Sequence, residues 1–403
     1  MGYNNRPSVR KSRILQAAVV ATLAAAPGVY GQQGADGQGV AAGPFTLYPS
    51  LGVRYLHDNN IFYQPAGGET SDNILVISPQ LDFRSEPGGQ LYRILYRADI
   101  GRYQDSSPDD YEDQQLLGEL EVGLGRRGRL DVQAEYLDAH DPRGTGRTEG
   151  ARGLPPEPDK WHSSRVDATV TIGTEAARGR LELTGGLYRK RYDNNRAFTT
   201  VRDRDADTLG ATFFYKLRER TDLLFQVDQR EHDYKSTDLD STERRYLAGV
   251  TWQATGKTQG TVKVGRLEKD FDSATRTDFD GTSWTAAIQW APRTYSVVDL
   301  ATSRRTDETN GTGDFILTKD LSLVWRHEWK SYITTRVSAL VANDRYDPSG
   351  REDDRSNFGV EVSYQFRRWL AIGAAYNRLK RDSNVDVFDY NKNVYGLTIR
   401  GAL

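Results

Sequence analysis

Apolar and polar residues alternate along most of this chain, from about Leu51 to Leu403, in one repeated unit. Each unit is an alternating stretch, a tight turn, a second alternating stretch and a longer acidic loop. In RLDVQAEYLD, Leu130, Val132, Ala134 and Tyr136 share one face while Asp131, Gln133 and Glu135 share the other. SNFGVEVSYQF sets Phe358, Val360, Val362, Tyr364 and Phe366 against Asn357, Glu361, Ser363 and Gln365 in the same way. Successive strand side chains point to opposite faces, so each stretch predicts a strand with one apolar and one charged side. Two-sided strands of about 9–11 residues are what a bilayer-spanning barrel requires, with lipid outside and water inside.

The periodicity predicts about eighteen strands, within roughly 16–20. The first ten centre on Leu51–Tyr55, Leu75–Phe83, Tyr92–Ile100, Leu116–Leu124, Leu130–Tyr136, Val166–Ile172, Leu181–Leu187, Leu209–Leu217, Leu223–Val227 and Tyr246–Trp252. The rest centre on Val262–Leu267, Trp284–Trp290, Tyr295–Thr302, Leu317–Trp325, Ile333–Val341, Phe358–Phe366, Leu370–Tyr376 and Tyr395–Leu403. Pro79 falls inside the second and predicts a bulge or a strand boundary there, because proline lacks the ladder N–H. Every second connection is tight, as in GRRG, AARG, ATGK and FRRW, and the intervening ones are long. Short turns on one side and long loops on the other predict a transmembrane antiparallel up-and-down β-barrel, all-β, with periplasmic turns and extracellular loops. Aromatic residues near predicted strand ends suit two interfacial girdles: Tyr103, Tyr111, Tyr136, Trp161, Tyr215, Trp252, Trp290, Tyr295, Trp325, Trp329, Trp369 and Tyr376.

Composition is compatible with this only for a barrel. Mean hydropathy is −0.69 and 27% of residues are charged, so no segment reads as a spanning helix, whereas barrel strands need only every second residue apolar. The absence of cysteine excludes disulfides and thiolate chemistry. The N-terminus carries Arg6, Arg10, Lys11 and Arg13 before the apolar ILQAAVVATLAAAPG, the pattern of an export signal. Cleavage after Gly31 is expected, giving a signal peptide over 1–31, a flexible segment over 32–44 and a barrel over 45–403. Localisation in the outer membrane of a Gram-negative cell follows, and the apolar final residue Leu403 suits recognition by barrel-assembly machinery.

Charge is uneven along the chain. Short turns are basic, with Arg126, Arg127, Arg178, Arg218, Arg220, Lys257, Arg293, Lys330, Arg367 and Arg368. The long loops are read as carrying Asp105, Asp109, Asp110, Asp203, Asp205, Asp238, Asp240, Asp278, Asp280, Asp353 and Asp354. Basic turns suit anionic headgroups, and acidic loops suit cations that bridge lipopolysaccharide, so outer-membrane lipid is an expected partner. The other reading is a basic rim that gathers an anionic polymer or docks a periplasmic partner. A net charge of −2 gives no reason to expect a nucleic-acid partner.

Catalytic chemistry finds little support. The histidines His57, His140, His162, His232 and His327 show no nucleophile or metal spacing. Ser163 and Ser164 neighbour His162 only in sequence, and adjacent strand residues face opposite ways. The acidic runs lack the convergence that a calcium site needs. No enzyme, cofactor or metal is expected.

Three segments carry a family resemblance: GVRYLHDNNIF (Gly52 to Phe62), ADIGRYQDSSPDDYEDQ (Ala98 to Gln114) and RDRDADTLGATFFYKLRERTDLLFQV (Arg202 to Val227). With them the chain resembles the putative beta-barrel porin-2 family over essentially its whole mature length. Tyr55, Asp58, Asn59, Asn60, Ile61 and Phe62 match the family's Tyr-Asp-Asp-Asn-Ile-Phe-like run, with Leu56 and His57 set between. The resemblance implies an outer-membrane barrel that helps an exopolysaccharide or capsular polysaccharide leave the cell, partnered by a periplasmic export or co-polymerase system. A general diffusion porin for small hydrophilic solutes is the alternative. A structural or adhesive surface barrel is a second, disfavoured because no passenger domain is present.

With Val132-type residues facing lipid, the opposite register directs Arg93, Arg97, Asp99, Asp131, Glu135, Arg165, Asp167, Lys263, Arg336 and Glu361 to the lumen. Isolated charges would be costly in a dry interior, so the lumen is expected to be wet or densely ion-paired. Both signs occur two residues apart on one strand, as with Arg97 and Asp99, which suits hydroxyl-rich chains that need no single field sign.

Overall fold

The computed structural model describes residues 37–150 and 153–403; the expected signal peptide lies outside them. Among these described residues there are nineteen strands. They begin with β1 (Val40–Ala42), β2 (Phe45–Asp58), β3 (Asp72–Ser85), β4 (Leu91–Tyr103), β5 (Tyr111–Leu124), β6 (Gly128–Asp141) and β7 (Asp159–Ile172). Next are β8 (Gly179–Tyr192), β9 (Arg204–Arg218), β10 (Thr221–Tyr234), β11 (Ser241–Thr255), β12 (Thr258–Phe271) and β13 (Phe279–Arg293). The chain ends with β14 (Ser296–Glu308), β15 (Phe315–Lys330), β16 (Ile333–Asp347), β17 (Arg351–Arg367), β18 (Leu370–Ser383) and β19 (Tyr390–Ala402). Strands β2 to β19 pair antiparallel in chain order, and β19 returns to β2 from Val394↔Asp58 to Ala402↔Ser50. The ring is therefore a closed eighteen-stranded barrel, as the alternation predicts.

The short β1 lies within the segment expected to be a flexible lead. It pairs with the start of β2, Val40↔Leu47 to Ala42↔Phe45, where β19 has already ended. Gly39 N–H donates to the Leu403 carbonyl at 3.2 Å, and Leu403 N–H to that of Pro49 at 3.1 Å. These bonds satisfy the backbone at the closure seam.

The pleat separates two chemistries. Leu209 is 73% exposed on the outside, whereas Lys392 is 2% exposed on the inside. That inversion identifies the outer surround as hydrocarbon. Outward Trp and Tyr gather at the turn end, with Tyr215, Trp252, Trp290, Tyr295, Trp325, Trp329 and Trp369. Trp252 lies across Gly260, its register partner, whose missing Cβ leaves room for the indole 2.7 Å from where a methyl would stand. Tyr103, Tyr111 and Trp161, expected in the girdle, instead share the inward register of Ile74, Gly101 and Ser163.

The eighteen strands of the ring run 13–17 residues, longer than the alternation suggests. Above the bilayer both faces are polar, so periodicity vanishes while the hydrogen-bond ladder continues. Asp205, Asp280, Asp353 and Asp354, read as loop charges, accordingly sit in β9, β13 and β17. For the same reason the β16–β17 connection is a three-residue turn over 348–350 rather than a long loop. At Pro79 the strand neither ends nor shifts register: pairing with β4 lapses between Ile77↔Ile100 and Gln80↔Arg97 and then resumes.

One part of the wall is doubled. The β13–β14 ladder stops at Trp284↔Arg304, although both strands continue upward. Above that point Phe315 and Leu317 of the β14–β15 hairpin pack against Tyr234, Leu239, Phe271 and Phe279. Thr306 and Glu308 meet Glu243 and Tyr234, so the hairpin tip tucks inside its neighbours.

Val362, outward and 43% exposed, tests the lipid face. Val362→Arg should destabilise the folded barrel by about 2–4 kcal/mol if near mid-membrane. Gln133→Arg on the opposite face should change stability little. Glu361 is no silent control, because Arg336 is its register partner. A refolding titration that ranks Val362→Arg with Gln133→Arg would overturn the assigned faces.

Candidate functional site

The inner wall is a set of charge pairs made possible by the two-residue repeat. All ten residues expected in the lumen lie on the inward register, but they form separate groups. On β4, Arg93 bridges Asp82 and Glu119, at 2.8 Å to each. Four residues along, Arg97 pairs with Asp99 at 2.6 Å, and Arg54 approaches the same carboxylate at 3.4 Å. Asp131 is held by Arg129 at 2.8 Å. Glu135 accepts from Gln115 at 2.6 Å and stands opposite Arg165, which pairs with Asp167 at 2.5 Å. Arg336 and Glu361 are register partners on β16 and β17. Lys263 on β12, eight strands round the ring from β4, donates to Gln226 of β10 at 2.9 Å.

In the connection between β6 and β7, the described residues 142–150 and 153–158 lie at the mouth of this lumen. Its first anchor is Arg143, which donates to Asp109 at 2.7 and 2.5 Å and lies 4.7 Å from the Phe62 ring centre. That bond raises the Arg143 pKa, so the guanidinium stays charged at any working pH. Gly144 has φ +85°, and a Cβ there would lie 1.8 Å from the Phe62 carbonyl oxygen, so only glycine permits the approach. Arg147 pairs with Asp159 at 2.7 Å and covers the Phe198 ring at 5.2 Å. Glu149 then reaches Arg351 on β17 and Arg381 on β18, each at 2.9 Å. The loop thus touches the β2–β3, β4–β5 and β8–β9 connections and the distant wall.

Beneath and around the loop, buried and half-buried carboxylates are surrounded by donors. Asp58 meets Lys392 at 2.6 Å. Asp141 accepts from Trp161 at 2.8 Å and Tyr192 at 2.9 Å and pairs with Arg202 at 2.9 Å. Glu308 faces Lys269, His232 and Tyr234. Asp109 and Asp353, expected as solvated loop charge, are buried and arginine-paired. The reading by alternation missed this upper tier, because its partners come from connections and strand tops where no periodicity guides the eye. The mixture of arginine and glutamate in the glycine- and proline-rich stretch DPRGTGRTEG was the available signal. Among the described residues, no three His, Asp or Glu side chains converge as metal ligands.

Comparison with known proteins bears on what this barrel is. The family described as Putative beta-barrel porin 2 matches residues 33–403. The chain belongs to that family. It is an integral outer-membrane protein with a channel fold. No curated protein matches it. Among solved structures it is similar to a BenF-like porin from Pseudomonas fluorescens Pf-5, at 12% identity and TM-score 0.49, covering 89% of this chain and 99% of that one. Pseudomonas aeruginosa OccK2, solved with glucuronate, gives 14% identity and TM-score 0.49 over 89% and 98%. Pseudomonas aeruginosa OccK9 gives 16% and 0.48 over the same shares. The expectation of polysaccharide export is corrected: the matched family is one of porins, and the mouth is spanned by a loop clasped to the opposite wall.

Replacing Arg143 by Met should free the near end of the loop from Asp109 and Phe62. Trypsin added to the folded barrel should then cut at Arg147 much faster than in the wild type; equal cleavage would show that the loop is held elsewhere. A second clasp joins two neighbouring loops, where Arg276 holds Asp238 down to about 2. The depressed value means this contribution is full above the ordinary carboxylate range and is lost as pH falls through about 2. Spin labels on the two loops should therefore separate below that pH and hold their distance at pH near 4.

Proposed function

We propose that this barrel is a diffusion porin for small hydrophilic solutes. The carrying observation is a wet inner wall. Gln133 points inward on β6 and is still exposed. On the adjoining β7, the inward side chains of Arg165 and Asp167 are 49% and 33% exposed. Inward side chains border water only where the lumen is open beside them. In this reading Arg93, Arg97, Asp99, Asp131, Glu135, Arg165, Asp167, Lys263, Arg336 and Glu361 line the path. Their mixed signs suit polar solutes without demanding one charge, and the β6–β7 loop sets an upper size. The chain then transports and does not catalyse.

Reconstituted in a planar bilayer, the folded protein should conduct ions. In liposomes it should admit a pentose and exclude a long dextran. Arg93→Gln with Arg97→Gln should shift ion preference towards cations while the barrel still shows its folded, unboiled gel mobility. A correctly folded barrel that passes neither ions nor pentose would refute the proposal.

A further inference from the structure

Glu149 carries the loop's contact with the far wall, and its surroundings are those of a bound ligand. Arg381 meets one carboxylate oxygen at 2.9 Å, while Arg351 at 2.9 Å and Asn310 at 3.0 Å meet the other. Both arginine side chains are buried, 3% exposed for Arg351 and 5% for Arg381. The receptor is rigid. Arg351 lies 4.2 Å from the Tyr346 ring centre and 3.6 Å from that of Phe388, and Asp353 accepts from its Nε at 2.9 Å. Arg381 Nε donates to the Phe388 carbonyl at 2.7 Å. The occupant, in contrast, arrives on a connecting loop.

Two further observations point to a ligand. Arg351 Nη1 is buried with no hydrogen-bond partner, a donor that Glu149 leaves unused. The two arginines are balanced by Asp353 and Glu149, so withdrawal of Glu149 would leave one buried positive charge uncompensated. Such a vacancy is costly and favours an anion of the same shape.

We propose that the Arg351–Arg381 clamp is a carboxylate-binding site at the extracellular mouth, that Glu149 is its built-in occupant, and that an entering carboxylate solute displaces it. This rests on the porin reading for its purpose and gives that reading a substrate class, small carboxylates. Displacement exchanges one carboxylate for another, so the arginines stay paired while the loop loses its far anchor. A neutral solute offers no such exchange. The unused Arg351 donor gives a second acceptor on the solute a bond that Glu149 does not make.

The test is calorimetric titration of succinate into the folded, detergent-solubilised mature chain, with 1,4-butanediol as the uncharged control. Glu149→Gln should bind succinate about tenfold or more tightly than the wild type, because the built-in competitor is gone. Adding Arg381→Gln to that variant should abolish the gain, and butanediol should give no binding heat to either. If the double variant does not fold, Arg381→Lys in its place should still weaken binding by about tenfold, since the ammonium lacks the planar fork. Equal succinate affinity in wild type and Glu149→Gln, or a gain that survives Arg381→Gln, overturns the proposal. Conductance separates the two readings. A conducting barrel indifferent to Glu149 rejects the clamp alone, while tight succinate binding to a barrel that conducts nothing rejects the porin alone.

Discussion

A strand inside a bilayer finds no water for its backbone, so every N–H and C=O must be met by a neighbouring strand. Closure of the eighteen-stranded ring satisfies that constraint, and the rest of the molecule follows from it. The seam between β19 and β2 completes the ring, and β1 meets the stretch of β2 that β19 does not reach. Apart from the short lapse beside Pro79, the main interruption of the ladder lies where the constraint relaxes. Above Trp284 the β13–β14 pairing stops, at the level where outward residues turn polar, and there Arg304 donates to the Thr282 carbonyl at 2.7 Å.

Closure also fixes which chemistry faces where. A continuous ladder enforces the two-residue repeat, and lipid claims one of the two faces for apolar side chains. Within the lipid-facing span the charges are therefore confined to the inner wall. Arg97 with Asp99, Arg129 with Asp131, and Arg165 with Asp167 are each two residues apart on one strand. In each of these pairs the neutralising partner lies on the same strand. Partly exposed pairs of this kind contribute about 0–1 kcal/mol each. They shape the field along the lumen far more than they hold the wall together.

The same repeat explains what could be read from the chain. Where lipid lies on one side, alternation is forced, and strands such as those around Val132 and Val362 are legible with their faces. Where water lies on both sides the pattern has no cause. The tops of β9, β13 and β17 therefore read as loops, and Asp353 reads as solvated although it is buried against Arg351. Tyr103, Tyr111 and Trp161 were misplaced for a related reason: an aromatic at a strand end has two faces to choose from, and its position along the chain gives only the height. The Glu149 contact was beyond sequence reasoning, since 202 residues separate it from Arg351 and no ladder links them.

The upper tier follows a different rule from the middle. In mid-barrel, side chains such as Arg165 stay half exposed, and pairing is local. At the mouth, Asp58, Asp141, Glu149 and Glu308 each gather donors from elements far apart in the chain, with little exposure left. Removing one partner of such a buried group costs about 3–5 kcal/mol, because the other is left charged and dry. The connections are thereby pinned to the wall, and the mouth acquires a fixed shape despite being built from loops. The half-exposed local pairs of the middle leave their charges open to water, whereas the buried groups of the mouth hold theirs out of it. An anion that exchanges with a carboxylate in the upper tier therefore meets donors that water does not screen.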